Sequence, residues 1–387
     1  MNICYLSREY PPKIIGGVGT YVYESAKAMR KLGHNVYVIT EALDTEKESI
    51  EEGICVIRVV KKEIRFLSLL REKLSRTVER LEYSYAVSKK LRQVSRKYRI
   101  DIVESCEARA EGLWYYLFHR KPRLVIKLHT PEGIISRWNR DPRSLDNKIV
   151  EKIEEFWILR ANKVIAISMA MVGLLRRYYD INFTGIPVVP NPIDTALFKP
   201  AAENINNQEQ VILYTGRLEF RKGVHVLMRA IPKVFKQAPA AKFIFIGGDC
   251  GMKSYLLKKI AEYQFGDRVI LMEHVAREEL VGLMQKSSVC VIPSLWENFP
   301  YTCLEAMSCA KAVVASCTGG IPEIIEHGKN GLLFPAGSSN ALAEAIISIL
   351  QDNTLRNKLA DNARDAIESR FSPADIAEKT LLAYYQN

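Results

Sequence analysis

Two carboxylates eight residues apart, Glu297 and Glu305, stand in the stretch Trp296-Glu297-Asn298-Phe299-Pro300-Tyr301-Thr302-Cys303-Leu304-Glu305. The apolar run Val289–Ile292 leads in and reads as a buried strand; Cys303 to Cys309 leads out and reads as a helix. The pair therefore brackets a strand-to-helix turn, the place where open α/β sheets bind ligands. Carboxylates accept hydrogen bonds from paired hydroxyls, which sugars and riboses offer. Backbone N–H groups at a helix start favour phosphate. Together these chemistries suit a nucleotide sugar.

Three further groups could serve such a ligand. Gly216-Arg217-Leu218-Glu219-Phe220-Arg221-Lys222-Gly223 follows an expected strand, Val211–Thr215. Arg217 offers a planar fork and Lys222 a compact point charge, enough to neutralise a leaving diphosphate. Arg221 reads as basic surface. Gly16-Gly17-Val18-Gly19 precedes a helix expected from Thr20 to Lys31. Glycines let a backbone approach a ligand, and the helix start favours an anion. The G-G-x-G spacing differs from the dinucleotide fingerprint. His129 closes the strand Leu124–Leu128, at the ligand-facing end of such a sheet.

In this order the motifs resemble those of the family-four retaining glycosyltransferases, which have the GT-B architecture of two doubly wound Rossmann-like domains facing a central cleft. The resemblance spans essentially the whole chain and is strongest over 211–335. It implies transfer of a hexosyl group from a nucleotide sugar to a hydroxyl of a glycan or lipid-linked acceptor, with the anomeric configuration kept. A UDP-sugar such as UDP-glucose is the first expectation, in cell-surface or extracellular polysaccharide synthesis. A GDP-mannose-dependent mannosyltransferase and a non-catalytic nucleotide-sugar binding protein are the alternatives. By resemblance, Glu305 holds the donor ribose, Glu297 contacts sugar hydroxyls, and Arg217 and Lys222 stabilise the diphosphate. Backbone at Phe299, Pro300, Tyr301 and Leu304 meets sugar and phosphate, and Val275 the base. Gly16 and Gly17 close the phosphate site, while His129 touches the transferred sugar. Gly319-Gly320 supports the donor side. Asn191-Pro192-Ile193-Asp194 matches the family's hinge segment, with Pro192 in place of its glycine.

Positioning these groups requires parallel sheets. Apolar strands alternate with amphipathic helices throughout. Ile3–Leu6, Val36–Thr40, Ile102–Glu104, Leu124–Leu128 and Val164–Ile167 are the expected strands of one half. Val211–Thr215, Phe243–Ile246, Val269–Leu271, Val289–Ile292 and Ala312–Ala315 are those of the other. The polar stretch 201–210 reads as a linker. The expected acceptor-binding domain is 1–198, joined by a final helix over about 371–387; the expected donor-binding domain is 199–370.

Composition limits the alternatives. The chain's 387 residues suffice for two or three domains, and 48% are hydrophobic, against a disordered chain. There is no uninterrupted apolar run long enough to span a membrane. The N-terminus reads directly as a strand, so no signal peptide is expected. The eight cysteines form no C-x-x-C pair, and no D-x-D or H-x-H cluster occurs. No metal or cofactor is therefore expected, and the thiols read as reduced in a cytoplasmic protein. The formal charge is +11, and residues 58–100 hold 14 Lys/Arg against four Asp/Glu. Apolar Leu67, Leu70, Leu74, Val78, Leu81 and Tyr85 read as one helical stripe inside that stretch. Residues 61–99 are thus a candidate contact with an anionic membrane surface, placing the protein peripherally at its inner face. No known nucleic-acid reading motif is present, so nucleic acid is not an expected partner.

Overall fold

The computed structural model describes residues 1–14, 16–179, 185–202 and 210–385. The expected linker lies from 203 to 209 outside the described residues. The chain forms two compact units, Met1–Pro192 with the segment from Pro373 onward, and Ile193–Ser372.

The first unit holds seven strands: β1 (Asn2–Leu6), β2 (Asn35–Glu41), β3 (Lys47–Glu51), β4 (Ile54–Val59), β5 (Ile102–Cys106), β6 (Arg123–Leu128) and β7 (Lys163–Ala166). Their order is β3-β4-β2-β1-β5-β6-β7, parallel except that β3 runs antiparallel to β4. The central strands are continuous apolar runs because helices cover both faces; Ile3, Cys4, Tyr5 and Leu6 are fully buried. The order reverses at β1, which pairs Ile3 with Val36 on one side and with Ile102 on the other. The carboxyl ends of β1 and β5 therefore border the crevice where such sheets take ligands.

Four helices of this unit matter below: α1 (Gly17–Lys31), α2 (Ser75–Tyr98), α3 (Leu113–Phe118) and α4 (Leu145–Arg160). β3 and β4 were not expected. β3 is a charged edge strand, Lys-Glu-Ser-Ile-Glu, with little apolar alternation to announce it. The stripe expected from Leu67 to Tyr85 is a second difference. A short helical turn, Arg65–Ser68, gives way to tight turns closed by Leu70 N–H to Leu67 O and Leu74 N–H to Leu70 O. α2 begins only at Ser75, so the stripe loses its register. The buried face of α2 keeps Val78 of that stripe but otherwise carries Tyr83, Val87 and Leu91, and Tyr85 is exposed.

The second unit holds β8 (Gln210–Thr215), β9 (Ala241–Ile246), β10 (Val269–Met272), β11 (Val289–Ile292), β12 (Ala312–Ser316) and β13 (Leu332–Phe334). All are parallel, in the order β10-β9-β8-β11-β12-β13. Helix α5 (Val224–Gln237) lays Val224, Leu227, Ile231 and Val234 against this sheet, a 3.6-residue period that keeps its apolar stripe fully buried. The reversal falls between β8 and β11, which pair Ile212 with Val289. It sets the Gly216–Gly223 loop directly beside the turn after β11. Topology alone thus brings the arginine-lysine motif to the paired glutamates.

Residues 193–198, expected with the first domain, pack on the second unit. Ile193 N–H donates to Phe371 O, Ser308 Oγ donates to Phe198 O at 2.6 Å, and Arg364 Nη1 donates to the same carbonyl at 2.9 Å. Three further helices are α6 (Tyr301–Ser308), α7 (Asn353–Arg370) and α8 (Pro373–Tyr385). α8 packs on α1 in the first unit, where Tyr384 Oη and Tyr21 Oη each donate to the buried Glu104 carboxylate at 2.6 Å. All eight cysteines are free.

Candidate active site

In the second unit the loop after β8 and the turn after β11 are laced together. Leu295 N–H donates to Arg221 O at 2.8 Å, and Gly320 N–H donates to Glu297 O at 3.1 Å. Two glycines are obligatory here. Gly223, at φ 69°, would place a Cβ 1.9 Å from Pro293 O. Gly319, at φ 55°, would place one 1.7 Å from Glu297 O. The Gly319-Gly320 pair therefore fixes the backbone that carries Glu297.

The side chains on this frame form a chain of alternating charge. Arg217 Nη2 lies 3.2 Å from Glu219 Oε1, and Arg221 Nη2 lies 2.6 Å from the same oxygen. Arg221 Nη1 then donates to Glu297 Oε2 at 3.2 Å and to Trp296 O at 3.0 Å. Lys222 Nζ pairs with Glu297 Oε1, which also accepts from Ser294 Oγ at 3.0 Å. Burial alone would raise the Glu297 carboxyl, but Lys222 and Arg221 outweigh it and hold it down to about 2. Glu297 is an anion at any physiological pH. Three cations against two carboxylates leave the cluster net positive, and Arg217 is its most exposed member.

Arg221 is a correction. Expected at the surface, it is buried, because the tight turn Phe220–Lys222 rotates its side chain inward between Glu219 and Glu297. The two acids were the signal available in sequence: buried carboxylates need counter-ions, and Arg217 and Lys222 alone do not occupy all their oxygens. Glu305 is buried in the second turn of α6. Phe299, Tyr301 and Leu304 are buried too, and the Phe299 ring lies 5.6 Å from that of Phe371. Their side chains are packed in the core, and Pro300 caps α6 with its carbonyl. Val275 is half-buried after β10, while His274 is exposed. The structure thus brings Arg217, Lys222 and Glu297 together, with Glu305 on the adjoining helix.

In the first unit α1 starts at Gly17, three residues earlier than expected. Gly16 N–H already has an acceptor, Glu9 Oε2 at 2.8 Å. A Cβ on Gly19 would lie 2.8 Å from Glu9 Cβ, so this glycine admits the Glu9 side chain. Sequence reading missed Glu9, whose carboxylate lies where an anion is favoured. His129, after β6, is buried; its N–H donates to Glu107 Oε2 at 2.9 Å and its ring stands edge-on to Tyr21 at 4.8 Å. Burial, aided by the Lys127 ammonium, pushes its imidazole down to about 3, so the ring is neutral. Burial also raises Glu107 and Glu111 to about 7, and Glu154, further repelled by Glu132, to about 8.

Comparison with known proteins decides the family. The Glycosyltransferase Family 4 description matches residues 15–197, and the Glycosyl transferases group 1 description matches 197–366. The chain belongs to the family-four glycosyltransferases. This transferase is 25% identical over 396 residues to a glycogen synthase of Mycobacterium tuberculosis, covering 99% of this chain and 94% of the other. Its fold is that of sucrose-phosphate synthase from Thermosynechococcus elongatus, with a TM-score of 0.81 at 24% identity over 99% and 98% of the two chains. It is also that of Anabaena HepE, crystallised with UDP and glucose, with a TM-score of 0.75 at 22% identity over 100% and 99%. The transferase therefore has the GT-B fold, and the arginine-lysine-glutamate cluster lies within the group 1 match.

Proposed function

We propose that the enzyme moves a hexosyl group from a nucleotide sugar, a UDP-hexose first, to a hydroxyl of a glycan or lipid-linked acceptor, keeping the anomeric configuration and using no metal. The observation that carries this is the net-positive cluster on an ionised Glu297 at the switch point of the second sheet. Arg217, exposed beside the buried Glu219–Arg221 pair, would meet the diphosphate, and Lys222 would turn from Glu297 toward the same charge. Glu297 would accept hydrogen bonds from sugar hydroxyls, and Glu305 from the ribose. The backbone of 299–304 and of Val275 would complete the donor site. Gly16, Gly17 and His129 keep their expected roles as part of this proposal, with His129 a neutral contact rather than an acid.

Retention without a covalent nucleophile follows if attack and departure use one face of the sugar. The acceptor oxygen would bond to the anomeric carbon as the carbon–phosphate oxygen bond breaks. The hydroxyl proton would pass to the departing phosphate, whose charge Arg217 and Lys222 offset. A UDP donor is favoured by HepE, a protein of the same fold solved with UDP and glucose.

Calorimetric titration of metal-free protein with UDP, GDP and ADP tests the reading. Binding of UDP, lost in Arg217→Ala, is the expected result. Preference for GDP would replace the donor by GDP-mannose, and no binding by folded protein would remove the transferase site.

A further inference from the structure

Helix α4 has two apolar faces. The inner one buries Val150, Trp157 and Ile158 against the first unit. The outer one carries Leu145, Ile149, Ile153 and Phe156 at steps of four, four and three residues, which is a second helical stripe. Leu145 is 66% exposed and Leu159, near the same end as Phe156, is 57% exposed. Ile149, Ile153 and Phe156, with Leu113 of α3, floor a shallow groove of about 340 Å³ rimmed by Lys148 and Lys152. An outer face this apolar has no reason to exist in water alone.

Exposed apolar residues also stand on the elements tied to the two ends of α4. Arg160 Nε donates to Tyr116 O at 2.6 Å, which ties the end of α4 to α3, whose last residue Phe118 is 79% exposed. At the other end Arg76 N–H donates to Asp146 Oδ2 at 2.9 Å, joining the start of α4 to the start of α2. The turn just before α2 presents Leu69, at 86% exposure, with Arg65 and Lys73 nearby in sequence.

Charge decides the partner. Arg120, Lys121, Arg143 and Lys148 flank the stripe, exposed and without an ion pair among the described residues. Of the four carboxylates on this helix, Asp146 and Glu154 are buried, and Glu151 and Glu155 are paired with Arg137 and Lys152. Two copies apposed through the face would bring like cations together. A polyanion such as nucleic acid would have no use for exposed Phe118, Phe156 and Leu69. A bilayer with anionic headgroups satisfies both features, apolar side chains entering the interface and cations meeting phosphates.

We propose that this face of the first unit, the outer side of α4 with the end of α3 and the turn before α2, lies on an anionic lipid surface. The surface differs from the stripe read from sequence, which α2 does not form. The attachment is peripheral, for no helix among the described residues is long and apolar enough to cross a membrane. It does not rest on the identity of the donor.

The test is co-sedimentation of the full chain with vesicles of phosphatidylcholine plus phosphatidylglycerol, against phosphatidylcholine alone. The expected result is pelleting with the anionic vesicles only, weakened by salt. It should fall by about tenfold in Phe118→Glu/Leu145→Glu and, separately, in Arg143→Glu/Lys148→Glu. Nucleotide titration and melting of both variants should match the wild type, since all four residues are exposed and remote from the donor cluster in sequence. Wild-type protein that stays in the supernatant with both vesicles overturns the proposal. So do variants that pellet as well as wild type. A concentration-dependent dimer in sedimentation velocity, abolished by Phe118→Glu/Leu145→Glu, would assign the face to self-association instead.

Discussion

Arg221 and Glu297 are joined by a 3.2 Å hydrogen bond with both side chains buried, and this bond ties the β8 loop to the β11 turn. It changes what Glu297 is free to do. One oxygen is held by Arg221 and the other faces Lys222 and Ser294. The carboxylate is thereby held in one orientation by the protein itself, which is the condition for electrostatic preorganisation.

The two arginines of the motif should therefore separate cleanly by mutation. Arg221→Met leaves Glu219 and Glu297 without their shared counter-ion, at a cost of about 3–5 kcal/mol to the second unit. Arg217→Met removes an exposed partner and should stay within about 0.5 kcal/mol of wild type while losing nucleotide affinity. Chemical denaturation beside calorimetric titration reads both effects. Equal destabilisation by the two variants would mean that the buried ion network is not the frame of the site.

Glu297→Gln keeps the shape and removes the charge. Turnover should fall by about a hundredfold or more, with a smaller change in nucleotide affinity, because in the proposed role the carboxylate meets the sugar rather than the nucleoside. Glu305→Ala should do the reverse and weaken nucleotide binding through the ribose. Kinetics and titration on the two variants would show the split that the proposed roles require; a common loss in both measurements would argue against separate roles.

Much of this site is legible in sequence because its parts are local. Gly216–Gly223 and the Glu297–Glu305 stretch each sit in one strand-to-helix connection, and doubly wound topology supplies their proximity. What sequence could not supply is side-chain direction over a tight turn. Arg221 and Lys222 are neighbours, yet one is turned inward and the other reaches Glu297 from the rim. The stripe from Leu67 to Tyr85 failed for a related reason, because a few turns before Ser75 rotate every later residue. Glu9 escaped notice because its partner, Gly16 N–H, has no side chain to signal it.

Glu9 offers its own test. Its carboxylate accepts from the helix-start N–H that a phosphate would use. Glu9→Gln weakens that internal contact from charge-assisted to neutral, so nucleotide should bind about threefold or more tighter if Gly16 belongs to the phosphate site. Unchanged affinity would remove Gly16 and Gly17 from the donor site.

The buried acids of the first unit give its stability a pH dependence opposite to that of Glu297. A carboxyl whose folded value is raised binds its proton more tightly folded than unfolded, so stability is lost as pH rises between the two values. For Glu107 and Glu111 that interval runs from 4.5 to about 7, and for Glu154 to about 8. At about 1.4 kcal/mol per unit, ionising either Glu107 or Glu111 in place costs about 3 kcal/mol. Glu297, depressed to about 2, contributes stability that is present above 4.5 and lost only as pH falls toward that value. His129, held down to about 3, works the other way below 6.5, but the three raised carboxyls outweigh it, so the first unit should melt progressively earlier from about pH 5 to about pH 8, most steeply above 6.5, while the second holds. Intrinsic fluorescence can follow it, since Trp114, Trp138 and Trp157 lie in the first unit and Trp296 alone in the second. Glu107→Gln should flatten part of the slope. A melting temperature level across that range in the wild type would show that these carboxyls are solvated in place.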